Sequence, residues 1–222
     1  MKWPLVVIDN FYPYANLLVD FANEQEYVSG TNYPGYRTDP LHQLNHPLFN
    51  AISDKIVAAL YPYEHYSMQF NCTSYFQKVP ANLIDGWVHQ DKIAEVTAIL
   101  YLSTSMNAGT SLYTPLIPFP ECNAIEKNEY FQKVNNKKEL SAKKNEEYTK
   151  LRDVNNSNFI KSIYINSQFN RLVLFDAQQY HAAEAYQTED TKNRLTYIAF
   201  FEDIRHKDLS IRAHGDYSRK LI

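Results

Sequence analysis

From Ser67 onward the chain changes its hydrophobic period, and that change limits the folds open to it. Met68, Phe70, Cys72 and Phe76 alternate with Gln69, Asn71, Thr73, Tyr75 and Gln77, the two-residue repeat of a strand with one apolar and one polar face. Four later runs, 96–102 (VTAILYL), 160–165 (IKSIYI), 171–177 (RLVLFDA) and 194–201 (RLTYIAFF), are rich in β-branched and aromatic residues. Ahead of Ser67 the repeat is helical. After a short strand in PLVVIDNF, Tyr14, Leu17, Leu18 and Phe21 are spaced as one face of a helix. Leu48, Ile52, Ile56 and Ala59 or Leu60 form the face of a second, with Pro47 suited to its first turn. Two helices followed by many short strands predict a mostly β fold with flanking helices: a jelly roll or β-sandwich whose N-terminal helices pack on one sheet.

The 222 residues fit one domain, 1–222, carrying a charged insertion at about 119–158. Its centre, 126–152, holds 8 Lys or Arg and 5 Glu in 27 residues and reads as an exposed helical segment. A formal net charge of -3 offers no electrostatic footprint for nucleic acid or an anionic membrane, so neither is expected as a partner. No apolar run approaches the ~20 residues of a membrane span. Cys72 and Cys122 are too few for a disulfide framework or a thiolate zinc site, and the start MKWPLVVIDNFYPY lacks the apolar core of a signal peptide. The expected compartment is the cytoplasm.

Three His-x-Asp pairs occur. His206-Lys207-Asp208 and His214-Gly215-Asp216 lie in a polar C-terminal stretch and read as surface residues, while His42, His46 and His65 have no partner at a useful spacing. His89-Gln90-Asp91 differs because an apolar strand, 96–102, follows it. In extended chain residues i and i+2 share a face, so this imidazole and carboxylate can clamp one ion. The best third ligand is His181, 90 residues after Asp91 and just past another apolar strand. Two imidazoles and one carboxylate on one side of a metal leave the other side open, the arrangement of non-haem Fe(II) oxygenases. Thirteen residues on, Arg194 and Thr196 repeat the i, i+2 spacing and set a guanidinium fork beside a hydroxyl, a pair suited to a carboxylate. Trp87 reads as a core or cleft-wall residue.

These residues resemble the Fe(II)/2-oxoglutarate-dependent dioxygenases, in particular the prolyl 4-hydroxylase-like branch. The resemblance runs through PLVVIDNFYP, QFNCTSYFQKVPANLIDGWVHQD, VTAILYLS with AGTSLYTP, NRLVLFDAQQYHAAEAY and NRLTYIAFF. It implies a double-stranded β-helix, iron held by His89, Asp91 and His181, and the distal carboxylate of 2-oxoglutarate held by Arg194 with Thr196. Tyr75, and more weakly Tyr101, match a tyrosine that such enzymes set against that carboxylate. The implied reaction consumes O2 and 2-oxoglutarate, hydroxylates a small-molecule or peptidyl substrate and releases succinate and CO2, with ascorbate as an accessory reductant. Asp91 stands where related halogenases carry a small residue, so hydroxylation is expected. Departures are Arg194 where prolyl hydroxylases carry lysine, AGT in place of a double glycine, and the long insertion. YPGYR, 33–37, is similar to a little-characterised bacterial and phage group. Rival readings are a non-catalytic metal- or ligand-binding jelly roll, which would need no Arg194–Thr196 pair, and a His2Asp zinc hydrolase, which would want a general base near the metal.

Overall fold

The computed structural model describes residues 3–30, 32–80, 86–91, 93–103, 108–118, 120, 128, 142–184 and 193–207. Along the chain these form β1 (Val6–Ile8), α1 (Ala15–Glu24), β2 (Val28–Ser29), β3 (Tyr36–Arg37), α2 (Leu41–Leu44), α3 (His46–Leu60), a 3-10 turn (His65–Ser67) and β4 (Met68–Pro80). Then come β5 (Val96–Tyr101), β6 (Gly109–Pro115), α4 (Ala142–Asn156), β7 (Phe159–Asn166), β8 (Leu172–Asp176), β9 (His181–Ala183) and β10 (Asn193–His206). The strands make a seven-stranded sheet in the order β1-β8-β5-β10-β4-β3-β2 and a three-stranded sheet β7-β6-β9, antiparallel throughout.

The long strands alternate, β10 up to an irregularity between Glu202 and Arg205, so the large sheet has two distinct faces. On one, Leu100, Leu172, Leu174, Tyr197 and Phe201 pack with Leu18, Ala22, Ile52, Ile56 and Val57 of the helices into the main core. On the other, Ile99, Tyr101, Val173 and Phe175 meet Leu112 and Ile165 of the small sheet. The helices therefore lie on one face, as the sequence suggests, and the small sheet covers the other. None of the described helices is long and apolar enough to cross a membrane.

Several local expectations change. Helix α1 buries Ala15, Leu18 and Ala22, whereas Tyr14 and Leu17 are 64% and 63% exposed. Of the expected face, Leu18 and Phe21 do meet the core, and small Ala15 and Ala22 take the places of Tyr14 and Leu17. Helix α3 starts as expected: the Asn45 side chain accepts from the Leu48 N–H at 3.0 Å, and Pro47 lies in the first turn. The polar face of β4 runs from water into the interior: Gln69 and Asn71 are exposed, Thr73 and Tyr75 half-buried. Gln77 is buried there, turned toward the space between the sheets. His206 ends β10 opposite Met68 instead of lying in a polar tail, while Asp208, His214 and Asp216 fall outside the described residues.

Much of the charged insertion also lies outside the described residues, but α4 is its C-terminal part and is not simply solvated. Tyr148 and Asn155 are buried. The Val88 N–H donates to Asn156 Oδ1 at 2.9 Å, Asn156 Nδ2 donates to the Gly86 carbonyl at 3.1 Å, and Asn155 Nδ2 donates to the Val88 carbonyl at 3.1 Å. The end of the helix thus clasps the segment that leads to His89. Asn156→Ala is expected to lower stability by about 1–3 kcal/mol in urea unfolding, because it strands buried backbone groups. Lys150→Ala, which removes only an exposed ion pair to Glu146, is expected to change it by less than ~0.5 kcal/mol.

Candidate metal centre

His89 and His181 face each other in an antiparallel bridge between 86–91 and β9. Each N–H donates to the other's carbonyl, at 3.0 and 2.9 Å. Nearby, the Gly86 N–H donates to the Ala183 carbonyl at 2.7 Å, and a β-carbon at 86 would lie 2.8 Å from the Ala183 backbone, so only glycine permits this approach. Two residues on, the Asp91 N–H donates to Ala177 O at 2.9 Å. Main-chain bonds to the turn after β8 and to β9 therefore place all three side chains.

The ring orientations are fixed by the same backbone. His89 Nδ1 lies 2.8 Å from the Trp87 carbonyl and His181 Nδ1 lies 2.8 Å from the Gln179 carbonyl. A carbonyl can only accept, so each Nδ1 carries a proton, and in the neutral ring Nε2 keeps its lone pair. Both lone pairs aim at one carboxylate: His89 Nε2 is 3.7 Å from Asp91 Oδ1, and His181 Nε2 is 3.4 Å from Asp91 Oδ2. These separations exceed good hydrogen bonds, and with both rings neutral the three groups present only lone pairs to one another, an arrangement that a proton on a ring or a cation between them would relieve. One ligand atom from each residue lies within 4.8 Å of the others, a set that could hold a metal ion. The donors, two neutral imidazoles and a carboxylate, suit Fe(II).

The carboxylate is itself held. Thr97, buried on β5, donates its hydroxyl to Asp91 Oδ2 at 2.7 Å. Burial alone would raise the Asp91 pKa, but His181 and His89 in their protonated forms and the Thr97 bond outweigh it and hold the carboxyl well below its usual range; a metal ion would take the place of those ring protons. Phe175 packs against the His181 ring at 4.7 Å between centroids. Trp87 is buried, and its carbonyl orients His89, a backbone role no side-chain pattern could reveal.

The other candidate residues share the inward face of the large sheet. Thr196 on β10 stands directly opposite Tyr101 on β5 and Gln77 on β4, and Arg194 is two residues from Thr196 on that same face. Arg194 is 5% exposed, its guanidinium carbon lies 5.2 Å from the Tyr101 ring centre, and the Tyr101 hydroxyl is 2.7 Å from Thr110 Oγ1 on the small sheet. Burial raises the Tyr101 pKa, with the charge of Arg194 acting against it, so the phenol stays neutral. Tyr75 occupies the next row, opposite Ile198, and its ring faces Arg37 at 5.4 Å. Of the two tyrosines, Tyr101 is the one set against Arg194. Sequence reasoning missed Thr97, Asn155, Asn156 and Arg37. Thr97 alone carried a signal, since it follows the His-x-Asp pair on a strand whose odd residues face inward.

The family of unknown function DUF6445 matches residues 1–201. No curated protein matches the chain. Among solved structures, HygX from Streptomyces hygroscopicus with nickel, 2-oxoglutarate and hygromycin B bound is similar over 89% of this chain and 82% of its own, at 12% identity and a TM-score of 0.54. The non-heme alpha ketoglutarate dependent carbocyclase SnoK from nogalamycin biosynthesis is similar over 96% and 85%, at 14% identity and a TM-score of 0.53. A prolyl hydroxylase from Trichoplax adhaerens, in complex with a hypoxia inducible factor peptide fragment, is similar over 90% and 83%, at 12% identity and a TM-score of 0.50. At these identities the likeness is one of fold.

Proposed function

The chain belongs to DUF6445, a family of unknown function, so its activity has to be read from its own site; we propose that it is an Fe(II)- and 2-oxoglutarate-dependent oxygenase of the double-stranded β-helix type that hydroxylates a small-molecule or peptidyl substrate. The observation that carries this reading is the pair of Nδ1-protonated histidines whose Nε2 atoms both aim at Asp91. A fold shared with HygX, SnoK and a prolyl hydroxylase supports it.

In this reading His89, Asp91 and His181 hold the metal and Arg194 receives the distal carboxylate of 2-oxoglutarate. The chemistry supplied by iron and 2-oxoglutarate when bound is oxygen activation coupled to oxidative decarboxylation, yielding succinate and CO2. The protein's own contribution is placement. Thr97 fixes the Asp91 carboxylate; the Trp87 and Gln179 carbonyls fix both rings; Ile99, Val173 and Phe175 keep the floor between the sheets apolar and dry. Arg194 offers a fork of N–H donors, with the Thr196 and Tyr101 hydroxyls beside it, to a carboxylate that would otherwise be costly to bury.

The test is an anaerobic titration of the pure protein with Fe(II) and 2-oxoglutarate, followed by visible absorption. A metal-to-cosubstrate charge-transfer band is expected, together with succinate release once oxygen is admitted. Stoichiometric iron with no band and no succinate would identify a binding protein instead.

A further inference from the structure

Arg37, in the two-residue strand β3 at the edge of the large sheet, points into the same space as the metal-ligand set. Its register partner is Gln77, which in turn stands opposite Thr196, so Arg37, Gln77, Thr196 and Tyr101 form one row across four strands on the inward face. The guanidinium does not stay in that row. Its carbon lies 5.4 Å from the Tyr75 ring centre and 5.5 Å from that of Phe200. Phe200 is paired with Thr97, the residue that holds Asp91, so the side chain reaches two rows along the sheet toward the metal ligands.

The arm is built to hold that position. Gly35 has φ of +72°, and a β-carbon there would lie 2.1 Å from the Lys78 carbonyl, so β3 can press against β4 only with glycine in the turn. The Gln77 side chain accepts from Arg37 Nε at 3.1 Å and donates to the Pro34 carbonyl at 2.6 Å, which locks both ends of the turn. Tyr33 stacks on the guanidinium at 4.0 Å. Burial lowers the Arg37 pKa, and the nearby Tyr33, Asp91 and Tyr75 act against that shift. Among the described residues no carboxylate forms an ion pair with Arg37, and its terminal N–H groups have no acceptor there. A guanidinium clamped by an amide, walled by aromatic rings and left with its fork toward the cleft is a binding device.

Charge decides what it binds. With a divalent metal, the Asp91 carboxylate, the Arg194 cation and a dianionic cosubstrate in place, these formal charges cancel, and Arg37 is left as a cation to which no carboxylate among the described residues is paired. We propose that Arg37 receives a carboxylate of the substrate, which makes the substrate an acid: a free amino or other carboxylic acid, or an acidic peptide. This rests on the oxygenase reading and extends it to the substrate class.

The test uses Co(II)-loaded protein with saturating 2-oxoglutarate in the absence of oxygen and reads the visible cobalt bands. The probes are the twenty free L-amino acids, each beside its carboxamide, and tripeptides with a central Asp or Glu beside their Asn or Gln counterparts. At least one acid is expected to shift the bands with a Kd at least tenfold below that of its amide; free amino acids or tripeptides giving this result identify the source of the carboxylate. Arg37→Met is expected to erase the difference while Co(II) uptake and 2-oxoglutarate affinity stay within twofold, and Arg37→Lys to restore only part of it. Acids and amides binding alike in the wild type, or a preference that survives Arg37→Met, would overturn the proposal. A tenfold loss of 2-oxoglutarate affinity in Arg37→Met would also overturn it, by making Arg37 a cosubstrate ligand. Failure of the wild type to take up Co(II) and 2-oxoglutarate would remove the oxygenase reading itself, a result separable from these.

Discussion

His181→Ala is expected to reduce Co(II) or Fe(II) affinity by more than 100-fold and to abolish succinate release. Removing partners of metal ligands already costs ~10–100-fold, so losing a ligand should exceed that range. The backbone bridge to His89 does not depend on the imidazole, and the other two ligands keep their own supports in the Trp87 carbonyl and the Thr97 hydroxyl. The loss should therefore be confined to metal binding, measured by titration calorimetry. His181→Gln, closer in volume, controls for the cavity that alanine leaves beside Phe175. Undiminished metal binding in both variants would remove His181 from the ligand set.

Arg194→Met should weaken 2-oxoglutarate by about two orders of magnitude and leave metal binding intact. Truncating one partner of a buried, hydrogen-bonded charge pair costs about 2–5 kcal/mol, and Arg194 is among the buried charged residues of the inner face. Pyruvate supplies the decisive control. It shares the keto acid head but has no distal carboxylate, so its weaker affinity should be the same in wild type and variant. If both keto acids lose equally, Arg194 acts on the metal end or on folding, and its assignment fails. Arg194→Lys should recover only part of the loss, since an ammonium is a point charge without the planar fork.

Much of this was legible because alternation survives in sequence. The strand runs 96–102, 171–177 and 194–201 correspond to β5, β8 and β10, and the i, i+2 logic that paired His89 with Asp91 and Arg194 with Thr196 describes how those side chains share faces. What stayed hidden was set by contacts remote in sequence. Two-residue strands such as β2 and β3 have no period to read, so no spacing marked Arg37 as a strand residue. The burial of Gln77 was not legible because a polar face over water and a polar face over a cleft share one pattern. Asn155 and Asn156 sit in a charged, low-hydropathy helix, and their value comes from backbone groups nearly seventy residues earlier. The small-residue face of α1 was overlooked because alanine is a weak hydrophobic marker.

The reciprocal hydrogen bonds between His89 and His181 have a bearing on which metal the protein accepts. Raw affinity along the first-row divalent ions peaks at copper for almost any nitrogen and oxygen donor set. A pair of imidazoles tethered by side-chain contacts alone could swing outward to give copper the flattened geometry it prefers. Here the spacing of the rings is written into the main chain, and each is anchored a second time at Nδ1, so an ion bound at the proposed site would have to accept the angles it is offered. In the proposed metal site, discrimination would then reside in stiffness instead of in donor chemistry.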